Sequence, residues 1–291
     1  MAMPLSEAAE EDHETNLCLP LPRLAEISFA GAKAAMPLLT DEALHAACGT
    51  RVCFTSRLGG VSEGPYASLN LSVDVGDDEA AVGENRRLLL ECAGASDFAG
   101  ALIVPKQVHG DEVLVADDVE KTRARARAGA DGIVCAQAGV PVLLCFADCT
   151  PVVLVAPGGA FSVVHAGWRG ALAGIAGKAL TLLAQQADCM PSACNAYIGP
   201  HIGSCCYEVS ADLLEGFTAA YGGACDAGRR HLSLSAAVSA SLLGAGAVAE
   251  RICEAGICTA CTIDRYYSYR AEDGTTGRHG ALAFREAISW D

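Results

Sequence analysis

Apolar positions along the chain fall into two rhythms. Between residues 132 and 164 they gather into four short runs: Gly132 to Ala136, Val142 to Phe146, Val152 to Ala156 and Phe161 to Val164. These runs are mostly β-branched and are bounded by Gly, Pro or polar residues, so they read as buried strands. The connectors are too short for a crossover helix between every pair, which predicts antiparallel or mixed pairing.

Elsewhere the spacing is helical. The Ala/Leu-rich stretch Ala30 to Ala47 predicts a helix. So does Glu79 to Ala93, with Asp77 or Asp78 as its cap. Further helices are expected at Ala171 to Gln186, at Asp212 to Tyr221 after Ser210 or Ala211, and at Ser233 to Leu243. Val52 to Thr55, Asn195 to Ile198, Tyr266 to Arg270 and Ala281 to Phe284 read as further strands. The glycines and proline of Ser56 to Pro65 mark a loop. Neither a repeat nor a linker is evident. The expectation is a loosely ordered acidic extension over 1–28 and one catalytic domain over 29–291. Its class is α/β (α+β), a layered sandwich with a mixed sheet.

Composition narrows the function. At 291 residues and 52% hydrophobic, folding can bury about three quarters of the chain's surface. A net charge of −15 argues against nucleic-acid binding, which needs a basic stripe. The one basic cluster, Lys121, Arg123, Arg125 and Arg127, reads as a solvated helix face or loop. Any phosphate in the substrate must therefore be attracted locally. The fifteen cysteines are odd in number and scattered, unlike a secreted disulfide framework. The opening residues lack the layout of a signal peptide, and no apolar run reaches the ~18 residues of a membrane span. A cytoplasmic protein with free thiols is expected, in which Cys135, Cys145 and Cys253 fill the core. Monomer and homodimer are both open.

Three segments carry candidate chemistry: Lys106-Gln107-Val108-His109-Gly110, Ala147-Asp148-Cys149-Thr150-Pro151 and Val164-His165-Ala166-Gly167-Trp168-Arg169-Gly170. Cys149 and His165 flank neighbouring strands joined by Pro157-Gly158-Gly159, so they can meet if the register allows it. Two imidazoles and one thiolate suit Zn²⁺ and leave a fourth position for water or substrate. Copper also accepts such a set. A metal there would lower the pKa of bound water. A lone His or Cys in an apolar run is more often core, and Cys149 with His165 also fits a metal-free thiolate–imidazole pair. Spacing alone does not separate these readings.

At these residues the chain resembles the YfiH/laccase-domain family, also called peptidoglycan editing factor or YfiH/FAMIN purine nucleoside phosphorylase. QVHG, ADCTPV and HAGWRG occur in the family's order. Phe54 to Ser62 with Tyr66 to Leu71, the pair Asn85-Arg86, Ile198 to Gly203 with Cys206 to Val209, and Cys261 with Ser268-Tyr269-Arg270 and Gly277-Arg278 agree as well. The resemblance spans roughly residues 50 to 285. It implies that His109, Cys149 and His165 ligate zinc and form the catalytic set. It implies a compact α/β sandwich shaped like toxin-type (CNF-like) cysteine hydrolases. It also implies phosphorolysis of adenosine, inosine and methylthioadenosine to base plus (methylthio)ribose 1-phosphate, with deamination of adenosine to inosine. The partners would be a purine nucleoside and phosphate. Other names in the family imply a peptidoglycan-editing cysteine hydrolase or a copper polyphenol oxidase (laccase). The chain departs from the pattern at Ala271, where many relatives carry a second arginine, and at Thr150, where an apolar residue is common.

Phosphorolysis needs an anion clamp, and the planar bidentate guanidinium supplies one. Arg169, expected at a helix start, is the first candidate, followed by Arg57 and Arg278; each is otherwise a surface or ion-pairing arginine. Asp148 is expected to orient a ligand histidine or accept a proton, or else to cap a strand end. Trp168 could stack on a purine or pack in the core. His201 is a pocket candidate, while His13 and His45 read as surface. Cys258-x-x-Cys261 and Cys205-Cys206 are each weak metal signals alone and read as structural.

Overall fold

The computed structural model describes residues 18–30 and 35–286. Strands β1 (Ala25–Ala30), β2 (Ala35–Thr40), β3 (Thr50–Thr55), β6 (Val142–Phe146) and β11 (His279–Arg285) form one antiparallel sheet in the order β1-β2-β3-β11-β6. Strands β4 (Val113–Ala116), β5 (Gly132–Cys135), β7 (Thr150–Val155), β8 (Phe161–Ala166), β9 (Asn195–Ile198) and β10 (Ile252–Glu254) form a second. Its order is β10-β9-β7-β8-β5-β4, and it is mixed: β10 with β9 and β4 with β5 are parallel, the rest antiparallel.

The two sheets stack face to face. Strand alternation explains why the runs lack polar positions. In β7, Val153 and Val155 pack toward the first sheet with Phe54, Leu144 and Ala281, whereas Val152 and Leu154 pack against helices. Those helices are α4 (Trp168–Leu172), α5 (Ile175–Gln186), α6 (Ala211–Tyr221) and α7 (Leu234–Gly244). The outer face of the first sheet is covered by α2 (Glu79–Ala93) through Leu88 and Leu89. The layers therefore run helix, sheet, sheet, helices, as the layered-sandwich expectation required. The remaining helices, α1 (Glu42–Cys48) and α3 (Val119–Ala128), connect strands. Asp78 caps α2 by accepting from the Ala80 N–H, as its sequence suggests.

Three expectations need correction. Of the helix proposed over 30–47, positions 31–34 lie outside the described residues, Ala30 ends β1, and the rest forms β2 and the short α1. Pro37 lacks the N–H an interior helical turn needs, and Met36 and Leu38 are buried as strand residues. Asp41 instead starts the helix at residue 42, accepting from the Leu44 N–H at 3.0 Å. The strand proposed over 266–270 is a series of turns. Its donors are claimed by side chains: the Ser268 N–H by Glu272 at 2.9 Å and the Arg270 N–H by Asp148 at 2.6 Å. The helix expected from Ala171 is two helices broken at Gly174, whose φ of 77° is left-handed.

The basic cluster lies on helix α3 but not on one face: Arg123 is half-buried and donates to the Gly100 and Leu102 carbonyls. Of the acidic extension, residues 18–28 are described. Leu19 is buried, the Pro20 carbonyl accepts from Asn195, and β1 begins at Ala25. His13 lies outside the described residues. His45 is half-buried and within 2.9 Å of Arg51.

Candidate active site

Cys149 follows the turn Ala147-Asp148, where the chain leaves β6 in one sheet and enters β7 in the other. Pro151 of β7 pairs with His165 of β8, which places Cys149 beside the end of β8. Alternation puts His165 on the same face as Phe161 and Val163, toward the first sheet. His109 enters from the loop before β4. Its ligand nitrogen, a ring nitrogen of His165 and the Cys149 Sγ lie within 4.8 Å of one another. The two imidazoles meet edge to face, with centroids 4.8 Å apart.

Asp131, fully buried at the start of β5, organises this trio. Its Oδ1 accepts from His165 Nδ1 at 2.8 Å and from the His109 N–H at 3.0 Å. Its Oδ2 accepts from the N–H groups of Gly110 at 2.7 Å and Val108 at 3.2 Å. These bonds hold His109 at φ 58°, a conformation rare outside glycine. They also commit Nδ1 of His165 and leave its Nε2 for the site, the usual arrangement of a metal-ligating histidine. Gln107 pins the same loop to β6: its side chain donates to the Cys145 carbonyl at 2.7 Å and accepts from the Cys145 N–H at 2.8 Å.

Electrostatics agree with this geometry. Burial alone would push the Cys149 thiol up, but the charge of His165 and hydrogen bonds from both histidines outweigh it and bring it down to about 6. Burial would lower His165, yet Cys149 and Asp131 raise it to about 9. The donor set fits a metal ion. It holds one thiolate-forming sulfur and two imidazoles, and it surrounds a cradle that a side chain would fill. A Cβ on Gly167 would lie 3.1 Å from His109 Cδ2, 3.3 Å from Cys149 Sγ and 3.5 Å from His165 Cε1.

The trio forms one end of a cavity of about 610 Å³, within the usual range for a small-molecule site. Arg169, Arg270 and Arg278 line it, with Trp168, Tyr207 and Tyr269 among the aromatic walls. Arg169 stacks on Trp168 at 4.4 Å and Arg270 on Tyr207 at 5.2 Å.

Several site expectations are thereby revised. Arg57 is outside this cavity: it pairs with Glu272 at 2.9 Å and donates to the Ala67 and Ile263 carbonyls. Asp148 lines the cavity but orients no histidine; it accepts from the Thr259 hydroxyl at 2.7 Å and from the Arg270 N–H. Asp131 takes the role expected of Asp148. His201 is buried, with Nδ1 2.9 Å from the Gly199 carbonyl oxygen, and does not line the cavity. Arg270, Tyr207 and Gln107 lie in recognisable motifs, yet only the fold shows where they point. Cys253 is half-buried, whereas Cys135 and Cys145 are in the core.

A two-sheet sandwich with a His-Cys-His trio at a strand-end cleft defines a YfiH-like, laccase-domain protein. The chain belongs to the family described as multi-copper polyphenol oxidoreductase laccase, whose model matches residues 51–286. It is 36% identical over 243 residues to purine nucleoside phosphorylase YlmD of Geobacillus stearothermophilus, covering 79% of this chain and 87% of that one. It is also 36% identical, over 236 residues, to a purine nucleoside phosphorylase of Deinococcus radiodurans, covering 79% and 87%. The crystal structure of YlmD from Geobacillus stearothermophilus superposes with a TM-score of 0.78 at 32% identity, covering 90% of this chain and 100% of that one. The Bacillus licheniformis hypothetical protein YfiH superposes with a TM-score of 0.77 at 26% identity, covering 89% and 99%.

Proposed function

We propose that the chain is a zinc-dependent purine nucleoside phosphorylase acting on adenosine, inosine and methylthioadenosine, which also deaminates adenosine to inosine. The observation that carries this reading is the convergence of three arginines and the His109, Cys149, His165 trio on one cavity. The names of the similar proteins support it.

In phosphorolysis the bond between C1′ and the purine nitrogen breaks, its electron pair leaves with the base, and a phosphate oxygen bonds to C1′. Arg169, Arg270 and Arg278 supply bidentate donors for the incoming phosphate and offset its charge. Trp168 and Tyr207 offer flat apolar faces for the purine. His109, Cys149 and His165 are the residues that would hold the ion. Zn²⁺ bound there would supply Lewis acidity and lower the pKa of a water molecule; deamination adds water at C6 and releases ammonia. Asp131 keeps His165 in one tautomer and orientation. Local guanidinium charge draws phosphate to a chain whose net charge would repel it.

The test is product analysis with the purified full-length chain and adenosine, with and without phosphate. Phosphate-dependent adenine and ribose 1-phosphate are expected, with inosine as the deamination product. A folded, metal-loaded protein that yields none of these overturns the proposal. A second reading rests on the Cys149–His165–Asp131 alignment, which also suits a cysteine hydrolase acting on peptidoglycan fragments. Turnover of muropeptides that survives metal removal would favour it. A copper polyphenol oxidase is the third, drawn from the family description; phenol oxidation by the copper-loaded protein is its readout.

A further inference from the structure

Among the described residues a second group of ligating side chains stands apart from the cavity trio. Cys205 and Cys206 lie in the loop after β9, and Cys258 and Cys261 in the loop after β10. Their four sulfurs lie within 4.8 Å of one another. The Cys261 Sγ is 3.6 Å from that of Cys205 and 3.4 Å from that of Cys206. A tetrahedral Zn²⁺ with Zn–S bonds near 2.3 Å places its sulfurs about 3.8 Å apart. A disulfide would bring one pair to about 2.05 Å. The spacing matches ion coordination and not a crosslink.

Two further observations point to a ligand. The Gly203 N–H donates to Cys258 Sγ at 3.2 Å, the kind of bond that stabilises a thiolate. Gly203 also keeps the cradle clear: a Cβ there would meet Cys258 Cβ at 3.1 Å and Cys205 Sγ at 3.2 Å. Packing accounts for only half of the gathering: Cys206 and Cys258 are half-buried against the core beneath the helices. Cys205 and Cys261 are exposed, whereas Cys48, Cys53 and Cys135 fill the core as unpaired cysteines usually do.

We infer that Cys205, Cys206, Cys258 and Cys261 form a second, structural zinc site. Four thiolates saturate a tetrahedral ion and leave no open position. Binding expels the thiol protons and leaves an ion with four Zn–S bonds. The site clips two loops that already share backbone bonds, His201 N–H to Ile257 O at 3.2 Å and Thr259 N–H to His201 O at 3.0 Å. Each loop also reaches the cavity. Tyr207, next to Cys206, lines it, and Thr259, next to Cys258, holds Asp148 beside Cys149. The clip thus braces one wall of the substrate cavity without touching the reacting atoms.

The test is zinc stoichiometry on full-length protein purified anaerobically with a reductant. Two ions per chain are expected in the wild type, and one each in Cys258→Ser/Cys261→Ser and in His109→Ala. Cobalt substitution should give intense thiolate-to-metal charge-transfer bands that persist in His109→Ala and fade in the double serine variant. If that variant does not fold, alkylation of the wild type decides. The four cysteines should resist labelling until a chelator is added. Loss of all zinc in His109→Ala, iron in place of zinc, a Cys206–Cys261 disulfide under these conditions, or labelling indifferent to chelator would each overturn the inference. None of these readouts depends on nucleoside turnover.

Discussion

Asp131→Asn is the sharpest probe of how the His109, Cys149, His165 trio is held. The carboxylate accepts four hydrogen bonds, two at each oxygen. Asparagine is nearly isosteric, but one of its two positions is an NH₂ group. Turned either way, that group faces two donors, so two bonds to a charged acceptor are lost. At about 1.5–3 kcal/mol each, the loss is about 3 kcal/mol or more. For a chain of this size, that corresponds to a Tm lower by roughly 6–12 °C. The loop carrying His109 loses its anchor, and His165 loses the partner that fixes its tautomer. Metal affinity should then fall about 10–100-fold. Scanning calorimetry on the chelated protein and zinc competition against a chromogenic chelator measure the two effects. An unchanged Tm together with zinc affinity within about twofold of wild type would refute the assignment of Asp131 as organiser of the trio.

Two other predictions concern stability. His279 is buried among the rings of Phe146, Tyr266 and Tyr267, and burial pushes its imidazole down from 6.5 to about 3. Between those values the unfolded chain binds a proton that the folded chain refuses, so this contribution is intact above 6.5 and shrinks as pH falls toward 3. The slope approaches about 1.4 kcal/mol per pH unit, and His279→Phe should flatten the acid limb of a urea-midpoint profile; parallel profiles would contradict it. Asn85 is buried and ties α2 to the 60–70 loop, accepting from the Val61 N–H at 2.8 Å and donating to Ser62, Ser68 and Asn70. Asn85→Ala removes the partner of the Val61 N–H and of the Asn70 carbonyl, while Ser62 keeps Asp77 and the Ser68 carbonyl keeps the Ser62 N–H; it should lower stability by about 2–4 kcal/mol in urea titration, while a loss under about 0.5 kcal/mol would mean that water replaces the amide.

The strands of the middle segment were legible because both their faces are buried, so composition alone marks them. Glu79–Ala93 was legible because its cap and its glycine stop are local. The segment of β2 reads as helix because Ala and Leu favour one in isolation; Pro37 and the pairing with β1 and β3 override that preference. The turns at 266–270 depend on carboxylates of Asp148 and Glu272, which no window around those residues contains. The trio itself was reachable through motif order. Its organiser was not, since Asp131 meets His165 through the β5–β8 register across 34 residues. Arg57 shows the converse: its motif is recognisable, but the destination of a long side chain is decided by how its loop folds. Each cysteine pair is a weak metal signal on its own because nothing local says that the loops after β9 and β10 meet.

The handover from β6 to β7 has a wider consequence. His165 lies on β8, and Cys149 and His109 immediately precede β7 and stand in the loop before β4, all strands of one sheet, whereas Arg270 and Arg278 ride on the segment entering β11 of the other. The trio and two of the cavity's arginines are thus carried largely by different sheets that face each other across a seam. Substitutions at Arg270 or Arg278 can reshape one wall of the cavity while the geometry of the trio stays put. Such a chassis lets one wall vary without disturbing the other.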